Sequence, residues 1–412
     1  MSFRISIPLF AIVGLLLNVL PLHSQIVIEK SSRAQIEANW KAAGWKVPSG
    51  WAPVVNDSDA QAWADQLTKV IAAKDSKTFA SDLFDNDQLL ADSVGGIPEG
   101  KYKDGFTKGV NSAMRNNFST MLASPDFSVR QTRNTKYGPA VLTRLLNEDG
   151  SVAYVLWRLM KNGTGDVKAV DMLSLGVGEW TSQVLTRAAV VSMPKEASFL
   201  QKLTGKQIEI SKGQQQFLKL IQAQQSQNFK SVLSLYAKLP ANLKKEKFLQ
   251  LIRLNAAMQA DEREYVSAIR DFRKTHPNDL ASLLHSIDFY FLKEDFQSMR
   301  SSIDSIVEQV GPDSHLYNLK AIGYSSEGKH AEAAKVLKLA IKTEPKREDS
   351  YWTLIENSLS AGDLDTVNVA LKKLVTGFGF EEFDFSANEI YKPFLDSPQH
   401  KDFVEFLKKR TK

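Results

Sequence analysis

The chain has 412 residues, enough for two or three domains, and its 43% hydrophobic content is ordinary for a globular protein. The net charge is +5 with acidic and basic residues interspersed, and without a block of five or six basic residues nothing indicates nucleic-acid binding. There are no cysteines, which excludes disulfides, thiolate zinc sites and thiol nucleophiles.

Residues 1–24 have the layout of a secretory signal peptide. One positive charge, Arg4, precedes an uncharged run from Ile5 to Leu22, and small or polar residues follow. The alternative is an uncleaved anchor, because about 18 apolar residues approach the length that spans a bilayer. Pro8 and Pro21 interrupt the run and favour cleavage. We therefore expect an exported protein, periplasmic or extracellular, that stays membrane-tethered if the leader is retained. The lack of cysteine suits a bacterial envelope compartment.

A Trp-rich lead segment, 25–57, precedes a domain predicted at 58–192. The stretch DSDAQAWADQLTKVIAA, from Asp57 to Ala73, has the apolar spacing of an amphipathic helix entered through an Asp/Ser cap. Two more helical regions are predicted, over Lys77–Val94 in pieces and over Gly105–Leu122.

Strands are predicted after these helices. Four strand-like segments are separated by turn signals: FSVRQTRNT, PAVLTRLLNEDG, SVAYVLWRLMKNG and DVKAVDMLSLGVGE. We predict a last strand over SQVLTRAAVV, from Ser182 to Val191. Helices followed by an antiparallel meander indicate an α+β domain in which a curved sheet wraps one long helix.

This order is similar to the cone-shaped nuclear transport factor two / ketosteroid isomerase-like superfamily. The stretches DVKAVDMLSLGVGEW and SQVLTRAAV look like its penultimate and final strands, and the resemblance covers about 135 residues. It implies either a small-molecule isomerase or hydrolase, or a non-catalytic binding or dimerisation module. The fold alone does not choose between them.

The positions of the histidines limit the chemistry of this domain. None of the six lies in it once the leader is removed: His23, His276, His285, His315, His330 and His400. A histidine-based triad or zinc site there is therefore excluded, and no metal is expected. No nucleotide cofactor is expected either, because Gly95-Gly96 and Gly176-Val177-Gly178 lack the strand–loop–helix setting of a phosphate-binding loop.

What remains for catalysis is a desolvated carboxylate base of the isomerase type. Asp171 is the candidate, because it lies in an otherwise apolar strand with Arg158 and Tyr154 on the preceding strand. The alternative, which we favour, is that Asp171 pairs with Arg158 or Arg187 inside or at the rim of the cone.

After a linker predicted at 193–207, a helical pattern returns every 34 residues through 208–378. A fixed period of this length indicates stacked helical pairs, none of which buries its apolar face alone. Two columns of the pattern are predicted to be core: Ile269, Ile303, Leu337 and Leu371, and Phe272, Ile306, Ala340 and Leu374.

The unit at 314–347 shows the pattern best, in Tyr317, Ala321, Tyr324, Gly328, Ala333, Leu337, Ala340 and Pro345. The first three share one face of a first helix, and Gly328 ends that helix. The next three line a second helix, which Pro345 terminates. These residues resemble the tetratricopeptide repeat (TPR), and we count about five units. The expected fold is a cone-shaped α+β domain followed by an all-α TPR-like solenoid.

The resemblance implies a partner surface on the first helix of each unit. Its members are mixed apolar and acidic: Leu254, Asp288, Phe291, Asn318, Ile322, Trp352 and Glu356. They depart from the basic clamp with which some relatives hold a terminal carboxylate, so that specificity is not expected. Trp352 and Phe291 are the candidate anchors. Residues 379–412 are predicted to cap the stack with Phe403 and Phe406 packed inward.

These features predict an exported, non-catalytic binding or scaffold protein that holds a protein or peptide partner on its repeats. The alternative is an isomerase- or hydrolase-like enzyme with Asp171 as general base and the repeats as a recruiting arm. A third hypothesis is an envelope structural protein whose basic surface lies against anionic lipid or cell-wall polymer. The oligomeric state stays open.

Overall fold

In a computed structural model, the N-terminal half of the chain contains an antiparallel sheet with helices, and the C-terminal half is a run of consecutive helices. The structure describes residues 31–410 except positions 55, 125, 147–151, 193–211, 242, 278 and 386–387. The predicted leader, 1–24, and the predicted linker, 193–207, lie outside the described residues. The chain divides into two compact units between His285 and Ser286, called unit 1 and unit 2.

Unit 1 begins with helices where the apolar spacing predicts them, and the Trp-rich lead adds one more. Its Ser32 and Gln35 form a reciprocal capping box at the helix start. The helical region predicted over Lys77–Val94 is divided into separate helices, as expected, with a π-helical turn at Phe79–Leu83 between them. The helices are α1 (Arg33–Ala42), α2 (Asp57–Ala73), α3 (Ser76–Thr78), α4 (Asn86–Val94) and α5 (Lys101–Ala123).

An antiparallel sheet follows, with its main strands in chain order. The four predicted strands are confirmed, and two short strands join them. The first of these, β1 (Ala52–Pro53), pairs with the end of β4. The others are β2 (Phe127–Thr135), β3 (Gly138–Leu146), β4 (Val152–Lys161), β5 (Val167–Ser174) and β6 (Glu179–Trp180).

One face of the sheet carries the aromatic core of unit 1. The indole of Trp157 lies 5.6 Å from the ring of Phe79 and 6.0 Å from that of Trp63, measured between centroids. Phe84 and Phe118 complete the cluster, and all five rings are at most 2% exposed. Helices α2, α4 and α5 supply the other core residues on this side. The side of the sheet around Trp157 is therefore packed with side chains.

The predicted strand at Ser182–Val191 is wrong: this segment is helix α6, Thr181–Ser192. The reason lies in its spacing. Val184, Leu185 and Ala188 are buried together, and residues one and four positions apart fall on one side of a helix rather than on alternating sides of a strand. The sheet therefore ends at Trp180, and α6 packs against β5 and α4.

The turn between β5 and β6 approaches the first helices of the repeat region, within unit 1. Gly178 has a φ of +71°, and a Cβ there would overlap Nζ of Lys247. Lys247 in turn pairs with Asp279 at 2.6 Å. His285 lies in the same neighbourhood, where burial lowers its pKa to about 4 despite a backbone contact with Gly176. His285 is therefore neutral at physiological pH.

Of the α-helices that follow the sheet domain within the described residues, the first ten form five successive pairs along the chain. In four pairs the second helix begins at an Asn or Asp cap, namely Asn228, Asp261, Asp295 and Asp363. The pairs are α7 and α8 (Lys212–Gln225, Phe229–Ala237), α9 and α10 (Lys247–Ala260, Glu262–Thr275), α11 and α12 (Leu280–Leu292, Phe296–Val310), α13 and α14 (Ser314–Ser326, His330–Thr343), and α15 and α16 (Glu348–Ala361, Leu364–Phe378).

The two predicted core columns are confirmed: all eight residues have 0% exposure. The turn inside the later pairs also follows the predicted logic. Gly328 and Gly362 have positive φ of 71° and 72°, the region that favours glycine. Glu294 occupies the equivalent turn of the preceding pair with φ 56°, so that pair accepts a strained non-glycine residue.

Unit 2 ends in a 3₁₀ turn, Glu389–Tyr391, the short helix α17 (Lys392–Leu395) and the longer helix α18 (Pro398–Arg410). Phe394 and Phe403 are fully buried against the last pair, and Phe406 and Leu407 pack beside them. The inward orientation predicted for Phe403 and Phe406 is therefore present. The basic end, Lys408–Arg410, is exposed.

Candidate functional site

Asp171 is completely buried on β5, directly opposite Arg158 on β4. The register of the two strands shifts immediately after this pair, from Arg158–Asp171 to Leu159–Ala169. Such bulges re-aim side chains, and they are frequent beside functional sites. The carboxyl of Asp171 lies 3.7 Å from the Arg158 guanidinium, so the pairing expected with Arg158 is present. The side chain of Arg187 lies outside the described part of the structure.

Arg158 is held from several sides although its side chain is only 1% exposed. Its closest ionic partner is Asp92 on α4, at 2.5 Å. The guanidinium also lies over two indoles, 4.6 Å from the centroid of Trp40 and 4.0 Å from that of Trp45. Both distances are within cation–π range, and desolvation strengthens that attraction. The Trp-rich lead thus covers this end of the sheet.

The two carboxylates are anchored by separate donors. The backbone N–H and hydroxyl of Ser182 donate to Asp171 over 3.1 and 2.5 Å. Because Ser182 is in the first turn of α6, the carboxylate lies at the positive end of a helix dipole. The same hydroxyl accepts a bond from the indole N–H of Trp45, 3.1 Å away. Asp92 accepts from the backbone N–H of Lys46 at 3.0 Å.

The cluster therefore holds two carboxyl groups and one guanidinium in a region closed to water. Burial raises the pKa of Asp171 to about 6, against the opposing effects of Arg158 and Ser182, and the charge of Asp92 adds to the rise. A carboxyl with such a pKa has the strength of a general base near neutral pH. A base must reach its substrate, however, and Asp171 has no exposed surface in this structure.

We expect Asp171→Asn to change how stability depends on pH. The folded pKa of about 6 exceeds the unfolded value near 3.8, so the folded state binds the proton more tightly. The stabilisation of the folded protein that comes from this raised pKa is fully present below about pH 4, and it is lost as pH rises through 6. The difference in unfolding free energy between variant and wild type should change by about 2 kcal/mol between pH 4 and 7. Urea titrations monitored by hydrogen exchange in β5 at both pH values measure it, and a difference constant with pH would contradict the assignment.

The predicted partner residues all lie on the first helices of their pairs, with different exposure. Leu254 is fully buried in α9. Asp288 on α11 and Asn318 on α13 are at most 5% exposed. The half-buried members are Phe291 on α11, Ile322 on α13 and Trp352 on α15, and Glu356 on α15 is exposed. Ile322, Trp352 and Glu356 of unit 2 are thus at least partly accessible, whereas Leu254 contributes to the core.

Trp352 has neighbours that the repeat pattern did not predict. Its indole lies 5.6 Å from the ring of Phe380 and 6.1 Å from that of Phe383, both in the stretch between α16 and α17. Glu356 lies close to the same stretch: partial desolvation raises the pKa of its carboxyl. Burial, and then the charge of Glu356, raises the pKa of Tyr391.

The partners of Arg158 are not predictable from the sequence, because the signals for them are weak. Trp40 and Trp45 belong to the tryptophan-rich lead, and their common target on β4 is distant in sequence. Asp92 looked like one more polar residue of an amphipathic helix. Ser182 was assigned to a strand and not to a helix start.

Comparison with protein-family models and with curated proteins finds no match to this chain. Across the described ranges of the chain, none of the helices combines the length and apolar character needed to cross a membrane. Nor do the described histidine and carboxylate side chains gather in groups of three or more that could hold a metal ion.

Proposed function

We propose that the protein is an exported binding or scaffold protein whose TPR-like helical repeats hold a protein or peptide partner. The observation that carries the proposal is the surface of the first helices in the last pairs. Leu337 and Leu371 of the second helices are wholly in the core, although Leu339 and Val369 of the same helices are 43% and 61% exposed. The first helices leave Ile322 and Trp352 half-buried beside exposed Glu356. Incompletely buried aromatic and aliphatic residues beside a polar rim are the composition of protein interfaces.

The N-terminal sheet domain fits a structural role better than a catalytic one. In the cone resemblance, a ligand would enter the space enclosed by the sheet. Here the side of the sheet around Trp157 is packed with rings, each at most 2% exposed. Asp171, the candidate base, is held by Arg158 and Ser182 without an exposed atom. We infer that this domain is a cone-like structural module, with the buried ion cluster as one of its supports.

Site-specific photo-crosslinking in the native envelope tests the proposal. A photoreactive residue at Ile322 or Glu356 should give a discrete crosslinked product. The same residue at Val369, which is 61% exposed on α16, is the control and should give none. Equal products from all three positions would contradict a partner surface on the first helices.

Trp352→Ala should weaken partner capture by about 2 kcal/mol or more, near 30-fold in affinity, as expected for an aromatic anchor. The matched control is Tyr351→Ala, which removes a half-buried aromatic from the same helix where it faces Phe378. Pull-down with the partner that crosslinking identifies measures the loss of affinity, and hydrogen exchange in α15 checks that the helix remains folded. If both variants lose capture equally, Trp352 is not an anchor.

The alternative of an anionic envelope surface makes a different prediction. Binding through the mild positive charge of the chain would fall steeply with added salt, since exposed charges are screened beyond about 10 Å at 0.1 M. Capture through Ile322 and Trp352 should change little over the same range.

A further inference from the structure

The stretch that covers Trp352 differs from the other connections of unit 2. Residues 379–388 separate α16 from a 3₁₀ turn, Glu389–Tyr391, that leads into α17, whereas 344–347 suffice between α14 and α15. Gly379, with φ +74°, turns the chain as α16 ends. The following residues, Phe380–Phe385, are here called the aromatic strap.

The strap alternates aromatic and acidic residues in the order Phe-Glu-Glu-Phe-Asp-Phe. Its acidic side chains are exposed, and its three phenylalanines are half-buried. Phe380 and Phe383 lie against Trp352, while Phe383 also lies 5.3 Å from Phe403, centroid to centroid. Phe385 continues the row onto Phe394, 6.0 Å away.

The strap therefore rests on a core without being part of it. Beneath it, Phe394 and Phe403 are at most 1% exposed, as expected of residues that hold the cap together. The strap phenylalanines stay partly in water and attach through side-chain contacts to a surface that includes Trp352. Among the recurring modes of peptide recognition, extended segments dock side chains into alternate pockets of a sheet edge or into aromatic-lined grooves.

We propose that the aromatic strap is a displaceable occupant of the Trp352 surface, and that the partner bound there is an extended peptide segment with phenylalanines separated by one or two acidic residues. This inference rests on the proposed partner surface on the first helices. The strap shows which chemistry the surface accepts, because its own side chains already meet Trp352. The acidic residues between them face water and would keep a released strap soluble.

Because the strap belongs to the same chain as the Trp352 surface, it would compete there with a separate peptide. A segment joined to its site by a short linker acts at an effective concentration in the millimolar range. A free peptide of the same sequence at micromolar concentration would then compete poorly in the wild-type protein. Loosening the strap should restore its intrinsic affinity, because binding is reduced by the fraction of molecules in which the site is open.

The test uses the full chain and a fluorescent synthetic peptide, GFEEFDF, corresponding to Gly379–Phe385. The strap variant carries Phe380→Ser and Phe383→Ser. The matched control is Phe406→Ser, a half-buried aromatic of the same cap that stacks on Phe403 instead. Fluorescence anisotropy should show at least about tenfold tighter binding to the strap variant than to the wild type or the control. Adding Trp352→Ala to the strap variant should abolish the gain, and a peptide with serine for each phenylalanine should not bind.

Three results would overturn the proposal. The first is equal peptide binding by wild type and strap variant. The second is loss of hydrogen-exchange protection in α17 and α18 of the strap variant, which would make the strap part of the cap core. The third is a concentration-dependent dimer of the wild type, which would assign the surface to the strap of a second copy. Crosslinking through Ile322 and Glu356 in the wild type reports the proposed function separately, so its success alongside any of these results would remove the strap inference alone.

Discussion

Arg158→Met should be among the most damaging single substitutions in this protein, lowering the unfolding free energy of the sheet domain by about 3–5 kcal/mol. The guanidinium is the cation between two buried carboxyl groups, 2.5 Å from Asp92 and 3.7 Å from Asp171. Methionine fills a similar volume without the charge, so both carboxyls would stay in a dry region without a counter-ion. The contacts with Trp40 and Trp45 would lose their cation as well.

Hydrogen exchange in β4 and β5 under increasing urea measures this loss locally, which matters because a chain of two units need not unfold in one step. Lys161→Met is the matched control on the same strand. Lys161 pairs with Asp59 at 3.0 Å, but its side chain is 38% exposed, so its removal should cost at most about 1 kcal/mol. Similar losses in the two variants would show that burial does not set the strength of the Arg158 contacts.

A second comparison separates lost charge from lost packing. With Asp92→Asn and Asp171→Asn added, the Arg158→Met protein has no uncompensated buried charge and should recover part of the lost stability. Replacing a complete buried ion cluster by neutral groups is often nearly neutral, whereas removing one partner is not. Absence of recovery would place the effect in the contacts with the two indoles.

The helical half was predictable because its information is local and repeated. Leu337 and Leu371 recur at the same place in successive helix pairs, and both are fully buried as predicted. Gly328 and Gly362 mark turns that need a positive φ, so the pattern placed both helices and their breaks. The burial of Leu254 was not predictable in this way, because exposure on a first helix depends on what packs over it.

The sheet domain shows where local patterns stop being sufficient. The four main strands could be read from their composition, but α6 could not, since Val184, Leu185 and Ala188 suit a strand by propensity and a helix by spacing. The Arg158 cluster joins α1, α4, β4, β5 and α6, and no short-range rule connects Trp40 to Arg158. The sequence of the aromatic strap alternates aromatic and acidic residues, but its contact with Trp352 depends on the turn at Gly379.

Phe403→Ala should lower the stability of unit 2 by about 3–5 kcal/mol, the range for removing a large aromatic from a packed core. Phe403 is 1% exposed and contacts Phe383, Phe385 and Phe406, so its loss leaves a cavity beneath the cap. Because a repeat stack depends on its terminal cap, hydrogen exchange should accelerate in α18 and also in α15 and α16. Phe406→Ala, at a half-buried position of the same helix, should have a clearly smaller effect. Faster exchange confined to α18 would mean that the cap does not support the repeats, and that the Trp352 surface persists without it.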